Sequence, residues 1–364
     1  MKLLHIIGSE LPEKSGITSV LRYLPYEQNK IDGVDVKTVS CLLNNRTSRI
    51  KNIDYIDVSK FKDYILAFKP DIAILHDFFI FSYAKITRLL RKYKIKYFLE
   101  PHGAFGTTAL QKSRLKKLIA NSTIFKKTIR RASGYIFTTK QERDNSAYHS
   151  LVEFIIPNGV VSDSVDESNH KNLDTLHMPV FYFMGRYDIN HKGLDYLLDA
   201  LGILDKQGIS LTFNFYGTGA KEEIDYVDSR IQEFKVVKAK NCGTIFGKEK
   251  DSEMTKLNIL VLTSRYEGSP IVVLEAFSYG NPVIVTPGTN VANEVYQNRL
   301  GWSTQLEPHD IASTIAKAMN EYRQNALSYI VRTKKYVLEN FTWDRIAKYS
   351  VNELQNYLEG NCKK

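Results

Sequence analysis

The chain has almost no cysteine. Cys41, Cys242 and Cys362 are three in 364 residues, far apart and odd in number, which excludes a disulfide framework and any paired-cysteine metal site. A reducing cytoplasm is the expected home. No hydrophobic run is long enough to cross a bilayer: the most apolar stretch, Ile72 to Ala84, is broken by His76-Asp77. Met1 to Gly8 has too few apolar residues for a secretory signal and reads as a first strand. The G-x-G-x-x-G turn of a Rossmann dehydrogenase is missing after that strand, which excludes that class. Internal repeats and low-complexity segments are missing too. Acidic residues vanish from Pro101 to Gln141, where nine residues are Lys or Arg.

What is present is the composition of a globular protein, 43% hydrophobic and 25% charged, at a length that accommodates two domains with sizeable cores. The charge is uneven. Residues 1–170 hold 27 Lys+Arg against 17 Asp+Glu and the remainder 23 of each, so the whole excess of +10 sits in the first half. Such asymmetry implies an anionic partner, either nucleic acid or a membrane surface. Within the basic stretch, Leu115, Leu118, Ile119, Ser122, Phe125 and Ile129 share one helical stripe, which reads as core-facing. Lys112, Lys116, Lys117, Lys126, Lys127, Arg130 and Arg131 lie mostly off it. The basic face of segment 112–131 reads as a surface for anionic lipid headgroups, each basic residue contributing about 1 kcal/mol. Phe105 and Phe125 are the only aromatics from Pro101 to Arg131, too few to stack bases, so nucleic acid is not expected.

Strand and helix signals alternate along the chain. Apolar runs fall at Leu3–Ile7, Val34–Val39, Ile72–Leu75, Tyr97–Leu99, Tyr135–Phe137 and Phe154–Ile156. A linker rich in Ser, Asp and Asn follows from Ser162 to Asn172, and the runs resume at Val180–Phe183, Leu211–Tyr216, Ile259–Leu262 and Val283–Val285. Helical patterns between them predict parallel α/β sheets. The domains are expected at 1–168 and 173–340, with a final helix over 343–360.

The stretch Ser264 to Gly280 organises the rest. It reads as a loop and helix between two buried strands, with Ser269 as N-cap, Pro270 at the first helical position and Gly280 after the end. Such loops, at the carboxyl ends of parallel strands, are where open α/β sheets bind ligands, and a helix start suits a phosphate. Glu267 precedes the helix and Glu275 lies on its second turn. They flank a phosphate-bearing ligand, or else Glu267 merely complements the helix dipole and Glu275 is solvated. Upstream, Gly185-Arg186-Tyr187-Asp188 and Lys192-Gly193 place two cations around a turn. His102, within Glu100 to Gly106, and His76-Asp77 each end a strand. Gly16 opens a helix, and Gly217-Thr218-Gly219 and Gly243-Thr244-Ile245 mark turns.

Glu267 and Glu275 form an E-x7-E pattern, and Glu267-Gly268-Ser269-Pro270 followed by Leu274-Glu275-Ala276 resembles that of retaining, family-4-type glycosyltransferases. The Arg186 and Lys192 turn resembles the family's G-R-x-x…K-G diphosphate clamp, and Pro101-His102-Gly103 resembles its histidine loop. The resemblance implies the GT-B fold, an α/β architecture of two doubly wound Rossmann-like domains facing across a cleft. The first would bind the acceptor, with the final helix packed back on it, and the second a nucleotide-diphosphate sugar. It implies Arg186 and Lys192 on the diphosphate, Glu275 on the ribose, and Glu267 orienting the donor sugar. Gly268, Ser269, Pro270 and Ile271 would line the helix start. Gly217 would approach the nucleotide, Gly243, Thr244 and Ile245 would border the base, and His102 would meet the sugar from the first domain. Gly16 stands where the family has two adjacent glycines, this chain having Ser15-Gly16.

Many glycosyltransferases hold a metal with an Asp-x-Asp triplet. None occurs here, so no metal or other cofactor is expected, and Arg186, Lys192 and the helix start take its place. The implied activity is retaining transfer from a UDP-sugar to a saccharide acceptor, lipid-linked at the cytoplasmic face of a membrane, in surface-polysaccharide synthesis. A non-catalytic GT-B subunit that binds an acceptor or partner is the alternative.

Overall fold

The computed structural model describes residues 1–8, 16–41, 50–107, 125–161 and 178–361. The interdomain linker expected at 162–172, the greater part of the basic segment (112–124) and Cys362 lie outside the described residues. Two compact units emerge, Met1–Gly159 with Thr342–Lys364, and Val160–Phe341.

The first unit is a parallel sheet of β1 (Lys2–Ile7), β2 (Asp35–Cys41), β3 (Asp54–Ile56), β4 (Ile72–His76), β5 (Lys96–Glu100), β6 (Gly134–Phe137) and β7 (Glu153–Ile155). Their order is β3-β2-β1-β4-β5-β6-β7. The order reverses between β1 and β4, whose registers pair Ile7 with His76. Both strands are apolar along nearly their whole length and buried on both faces, as a helix-covered parallel sheet requires. The connecting helices are α1 (Gly16–Gln28), α2 (Phe61–Phe68), α3 (Ser82–Lys92), α4 (Lys126–Arg130) and α5 (Lys140–Asp144).

The second unit repeats the plan with β8 (Val180–Met184), β9 (Thr212–Tyr216), β10 (Lys238–Asn241), β11 (Ile259–Leu262), β12 (Val283–Val285) and β13 (Gly301–Ser303). The order is β10-β9-β8-β11-β12-β13, reversing between β8 and β11. Its helices are α6 (Ile189–Lys192), α7 (Leu194–Lys206), α8 (Lys221–Gln232), α9 (Gly247–Lys256), α10 (Ile271–Ser278), α11 (Ala292–Gln297) and α12 (Pro308–Asn340). On α7, Leu194, Leu197, Leu198, Leu201 and Leu204 recur at helical spacing and are all buried, a stripe that fastens the helix to its core.

Three strands carry no clear signal in the sequence: β3, β10 and β13. All three are sheet edges, short and partly polar, covered on one side only. An edge needs no continuous apolar run, so hydrophobic patterning misses it.

The chain returns to the first unit as α13 (Trp343–Leu358), which packs on α1. Trp343 is buried, stacks on Tyr23 with ring centroids 6.1 Å apart, and lies against Gly159, where an added Cβ would come within 2.7 Å of the indole. Trp343→Ala is expected to lower stability by about 3–5 kcal/mol, the usual loss for truncating a buried aromatic, and Gly159→Ala to destabilise by overpacking. Urea unfolding of the full chain measures both.

Candidate active site

The loops after β8 and β11 leave neighbouring strands at the strand-order reversal, where an open α/β sheet forms its binding crevice. The first runs through Gly185 into the single turn α6, whose N-cap Asp188 accepts the His191 N–H at 2.9 Å. Gly193 follows at φ 62°, and a Cβ there would overlap the Thr263 carbonyl oxygen. Only glycine combines that backbone conformation with that approach. Thr263 Oγ1 then lies 3.1 Å from the carbonyl oxygens of both Lys192 and Gly193.

With the two loops held together, Lys192 Nζ donates to Glu267 Oε1 at 2.5 Å and Ser264 Oγ to the same oxygen at 2.6 Å. Both charged side chains are mostly buried. His191 Nε2 donates to the Tyr266 carbonyl at 2.8 Å, its ring stacked on Tyr266 at 4.2 Å. Burial pushes the His191 pKa down, against the pull of Glu267. Arg265 grips both carboxylate oxygens of Asp195 at 2.9 and 2.6 Å, donates to the Asn190 carbonyl at 2.6 Å and stacks over Tyr196. Asn290 Nδ2 donates to the Glu267 carbonyl at 2.5 Å. Arg186 is two-thirds exposed, 3.4 Å from Asp188.

Helix α10 starts one residue later than expected. Pro270, extended at φ −73° and ψ 106°, is the N-cap; Ile271 is the first helical residue, and Ser269 stays in the loop. Proline's fixed φ serves an extended cap as well as a first helical position, so the residue pattern left the register open by one. Glu275 lies on the second turn, its Oε1 2.7 Å from Lys250 Nζ of α9. The Gly217 N–H donates to the Gly243 carbonyl at 2.8 Å, and a Cβ on Gly217 would strike the Gly185 carbonyl. The loops after β8, β9 and β10 therefore converge at one sheet end, with Thr244 exposed and Ile245 buried beyond them.

His102 and Gly16 belong to the first unit, where Gly16 opens α1. His102 follows β5 at φ 47°. The next residue, Gly103, donates its N–H to buried Glu142 Oε1 at 2.5 Å, and Glu142 Oε2 accepts the Thr138 N–H at 2.7 Å. His102 Nε2 is 3.1 Å from His76 Nδ1, and His76 Nε2 is 2.8 Å from His5 Nδ1. Burial lowers the pKa of His5 and of His102 to about 4 and that of His76 well below its usual value, and it raises Glu100 well above the carboxylate range.

Donor atoms of His76, Glu100 and His102 lie within 4.8 Å of one another, a spacing that a divalent ion accepts. The rings favour hydrogen bonds instead. Centroid separations of 5.1 Å for His5–His76 and 5.4 Å for His76–His102 exceed the N–N distances of 2.8 and 3.1 Å by the same 2.3 Å, close to two imidazole radii. Each N–N line thus runs through both ring centres. The nitrogens face one another rather than a common point.

Motif reading missed Ser264, Arg265, Asp195, His191 and Lys250 around the second-unit loops, and Glu142, His5 and Gln28 in the first unit. Only Glu142 had a local signal, a Thr139-x-x-Glu142 capping pattern. The Gly193 contact can be isolated. Gly208 has a similar φ of 73° but nothing within 4 Å of an added Cβ, so Gly208→Ala should lose about 1–2 kcal/mol from backbone strain alone. Gly193→Ala should lose clearly more in the same urea titration, because the loops must part.

Residues 178–325 match the family model of glycosyl transferases group 1. An uncharacterised glycosyltransferase of Methanocaldococcus jannaschii is 29% identical over 174 residues, 47% of this chain and 43% of that protein, so the chain spans less than half the length of this relative. The fold is similar to sucrose-phosphate synthase of Thermosynechococcus elongatus, with a TM-score of 0.77 and 17% identity over 100% of both chains. It is similar also to Anabaena HepE in complex with UDP-glucose, with a TM-score of 0.74 and 15% identity over 98% of this chain and 100% of that one. The chain therefore has the GT-B fold of two doubly wound α/β domains, and its residues 178–325 match the glycosyl transferases group 1 model.

Proposed function

We propose that the chain is a retaining glycosyltransferase that moves a hexosyl or N-acetylhexosaminyl group from a UDP-sugar to a hydroxyl of a saccharide acceptor. One observation carries this reading: at the strand reversal Lys192, from the loop after β8, is paired with Glu267, from the loop leading to α10, and Arg186 stands exposed on the same loop as Lys192. A departing nucleotide diphosphate gains negative charge as the glycosidic bond breaks, and fixed positive groups lower that barrier. Lys192, Arg186 and the free N–H groups at the start of α10 supply them without a metal.

Diphosphate oxygens compete with Glu267 for Lys192 and free the Glu267 carboxylate to accept hydrogen bonds from the donor sugar. Glu275 exchanges Lys250 for the ribose hydroxyls. Gly217, Gly243, Thr244 and Ile245 take the nucleoside, while Gly268, Ser269, Pro270 and Ile271 border the diphosphate. His102 is assigned to the donor sugar, and Gly16 to ligand contact at the start of α1. UDP is the favoured nucleotide because HepE, of similar fold, is seen with UDP-glucose. Reaction on one face of the sugar, with the leaving phosphate taking the acceptor's proton, retains the anomer and forms no covalent intermediate. The basic first half and segment 112–131 favour a lipid-linked acceptor at the cytoplasmic face of a membrane, in surface-polysaccharide assembly.

UDP or one UDP-sugar at a concentration ~100-fold above Kd should stabilise the purified chain by about 2.7 kcal/mol, with no response to GDP or ADP. Combining Arg186→Ala with Glu275→Ala should abolish that response. Transfer should survive EDTA and give a product of retained anomeric configuration by NMR. An inverted product, or silence towards every nucleotide, overturns the reading.

A further inference from the structure

The first unit buries a run of polar side chains that diphosphate chemistry does not use. At one end, Ser350 Oγ on α13 donates to the Ala347 carbonyl at 2.9 Å and so accepts from Gln28 Nε2, also at 2.9 Å. That orients the Gln28 amide, whose Oε1 lies 2.8 Å from His5 Nε2. An amide oxygen only accepts, so the proton of neutral His5 is on Nε2 and its Nδ1 is an acceptor. His76 Nε2 must then donate to His5 Nδ1, which leaves His76 Nδ1 to accept from His102 Nε2. Each imidazole is constrained by the one before it.

The flanking carboxyl groups fit the same assignment. Glu100 Oε2 is 3.3 Å from His76 Nδ1, and Glu100 Oε1 is 3.5 Å from His102 Nε2. The one lone pair of His76 Nδ1 and the one proton of His102 Nε2 already face each other, so Glu100 lies alongside this bond, and burial, which raises its pKa, favours its uncharged form beside the neutral rings. Glu142, through the Gly103 N–H, holds the loop that carries His102. His5, His76 and Glu100 are buried, and His102 is the one ring of the run with measurable side-chain exposure, 9%.

We propose that Gln28, His5 and His76 are positioning residues that fix His102 as its Nε2–H tautomer and leave His102 Nδ1 as an acceptor for a hydroxyl of a bound sugar. This rests on the reading of His102 as a sugar-contacting residue. The run of hydrogen bonds begins on α13, so the segment that returns to the first unit also sets the orientation of the site's histidine.

Long-range proton–nitrogen NMR on 15N-histidine-labelled full chain distinguishes the two neutral tautomers and the imidazolium directly. His5, His76 and His102 should all be neutral Nε2–H forms, unchanged from about pH 6 to about pH 8, where an ordinary histidine titrates. Gln28→Leu removes the acceptor at the head and should produce mixed tautomers at His102, whereas Gln28→Glu, which keeps an acceptor facing His5 Nε2, should restore one form. With Gln28→Leu, kcat should fall at least about tenfold, a wrong histidine tautomer costing up to ~10⁴ in a well-characterised hydrolase. The stabilisation by nucleotide should be retained.

An Nδ1–H or charged His102 in the wild-type chain overturns the proposal, as does a stoichiometric metal bound by His76 and His102 on elemental analysis. So does a Gln28→Leu chain that folds and keeps one His102 tautomer. If Gln28→Leu does not fold, the wild-type tautomers alone decide. Loss of the nucleotide response with the tautomers as expected would sink the transferase reading and leave the relay standing.

Discussion

The second unit depends on one close approach, the backbone of Gly193 against the carbonyl of Thr263. Two loops from adjacent parallel strands touch there because no side chain intervenes. The contact sets the register of both loops: Thr263 Oγ1 reaches the Lys192 and Gly193 carbonyl oxygens, Arg265 spans to Asp195, and Lys192 meets Glu267. Most of these bonds join groups some 70 positions apart in the chain. The loops therefore behave as one object, and a ligand at the strand reversal meets a preset arrangement.

That arrangement is selective for charge. Lys192 and Glu267 are largely withdrawn from water, and a partly buried pair that loses one partner leaves the other costly by about 3–5 kcal/mol. A ligand that separates them must offer Lys192 a negative group and Glu267 hydrogen-bond donors. A diphosphate joined to a polyhydroxylated sugar offers both at adjacent positions. A neutral ligand, or a phosphate with no hydroxyls near it, satisfies one side only. Arg265 does not compete for this role, since both of its terminal nitrogens are engaged by Asp195 and by backbone carbonyls.

The first unit solves a related problem with no net charge. Burial lowers the pKa of its histidines and raises that of Glu100, so each group is pushed towards its uncharged form. A run of neutral hydrogen bonds carries direction instead: each ring has one donor and one acceptor nitrogen, and setting the first sets the rest. In both units the polar groups gather where the strand order reverses, His5 and His76 on β1 and β4, Lys192 and Glu267 in the loops after β8 and β11. At such a reversal the connections from the two paired strands part, which opens a crevice at the carboxyl ends where polar groups can gather.

How much of this was legible from the residues depends on the range of each interaction. Ile259–Leu262 reads as a strand because burial on both faces demands four apolar residues in a row, whereas Lys238–Asn241 at an edge makes no such demand. Glu267, Glu275, Arg186 and Lys192 stand in short motifs that their own helix starts and glycine turns make recognisable. Arg265 lies two residues before Glu267 and carries no such signature, because its role exists only once Asp195 is beside it. Gln28 and Ser350 are 322 positions apart and belong to no motif. A ligand-facing group carries a local signature, since the turn that presents it has its own backbone chemistry. A group that acts by orienting another carries none, because any donor or acceptor of suitable reach would serve, and only the fold says which one is in reach.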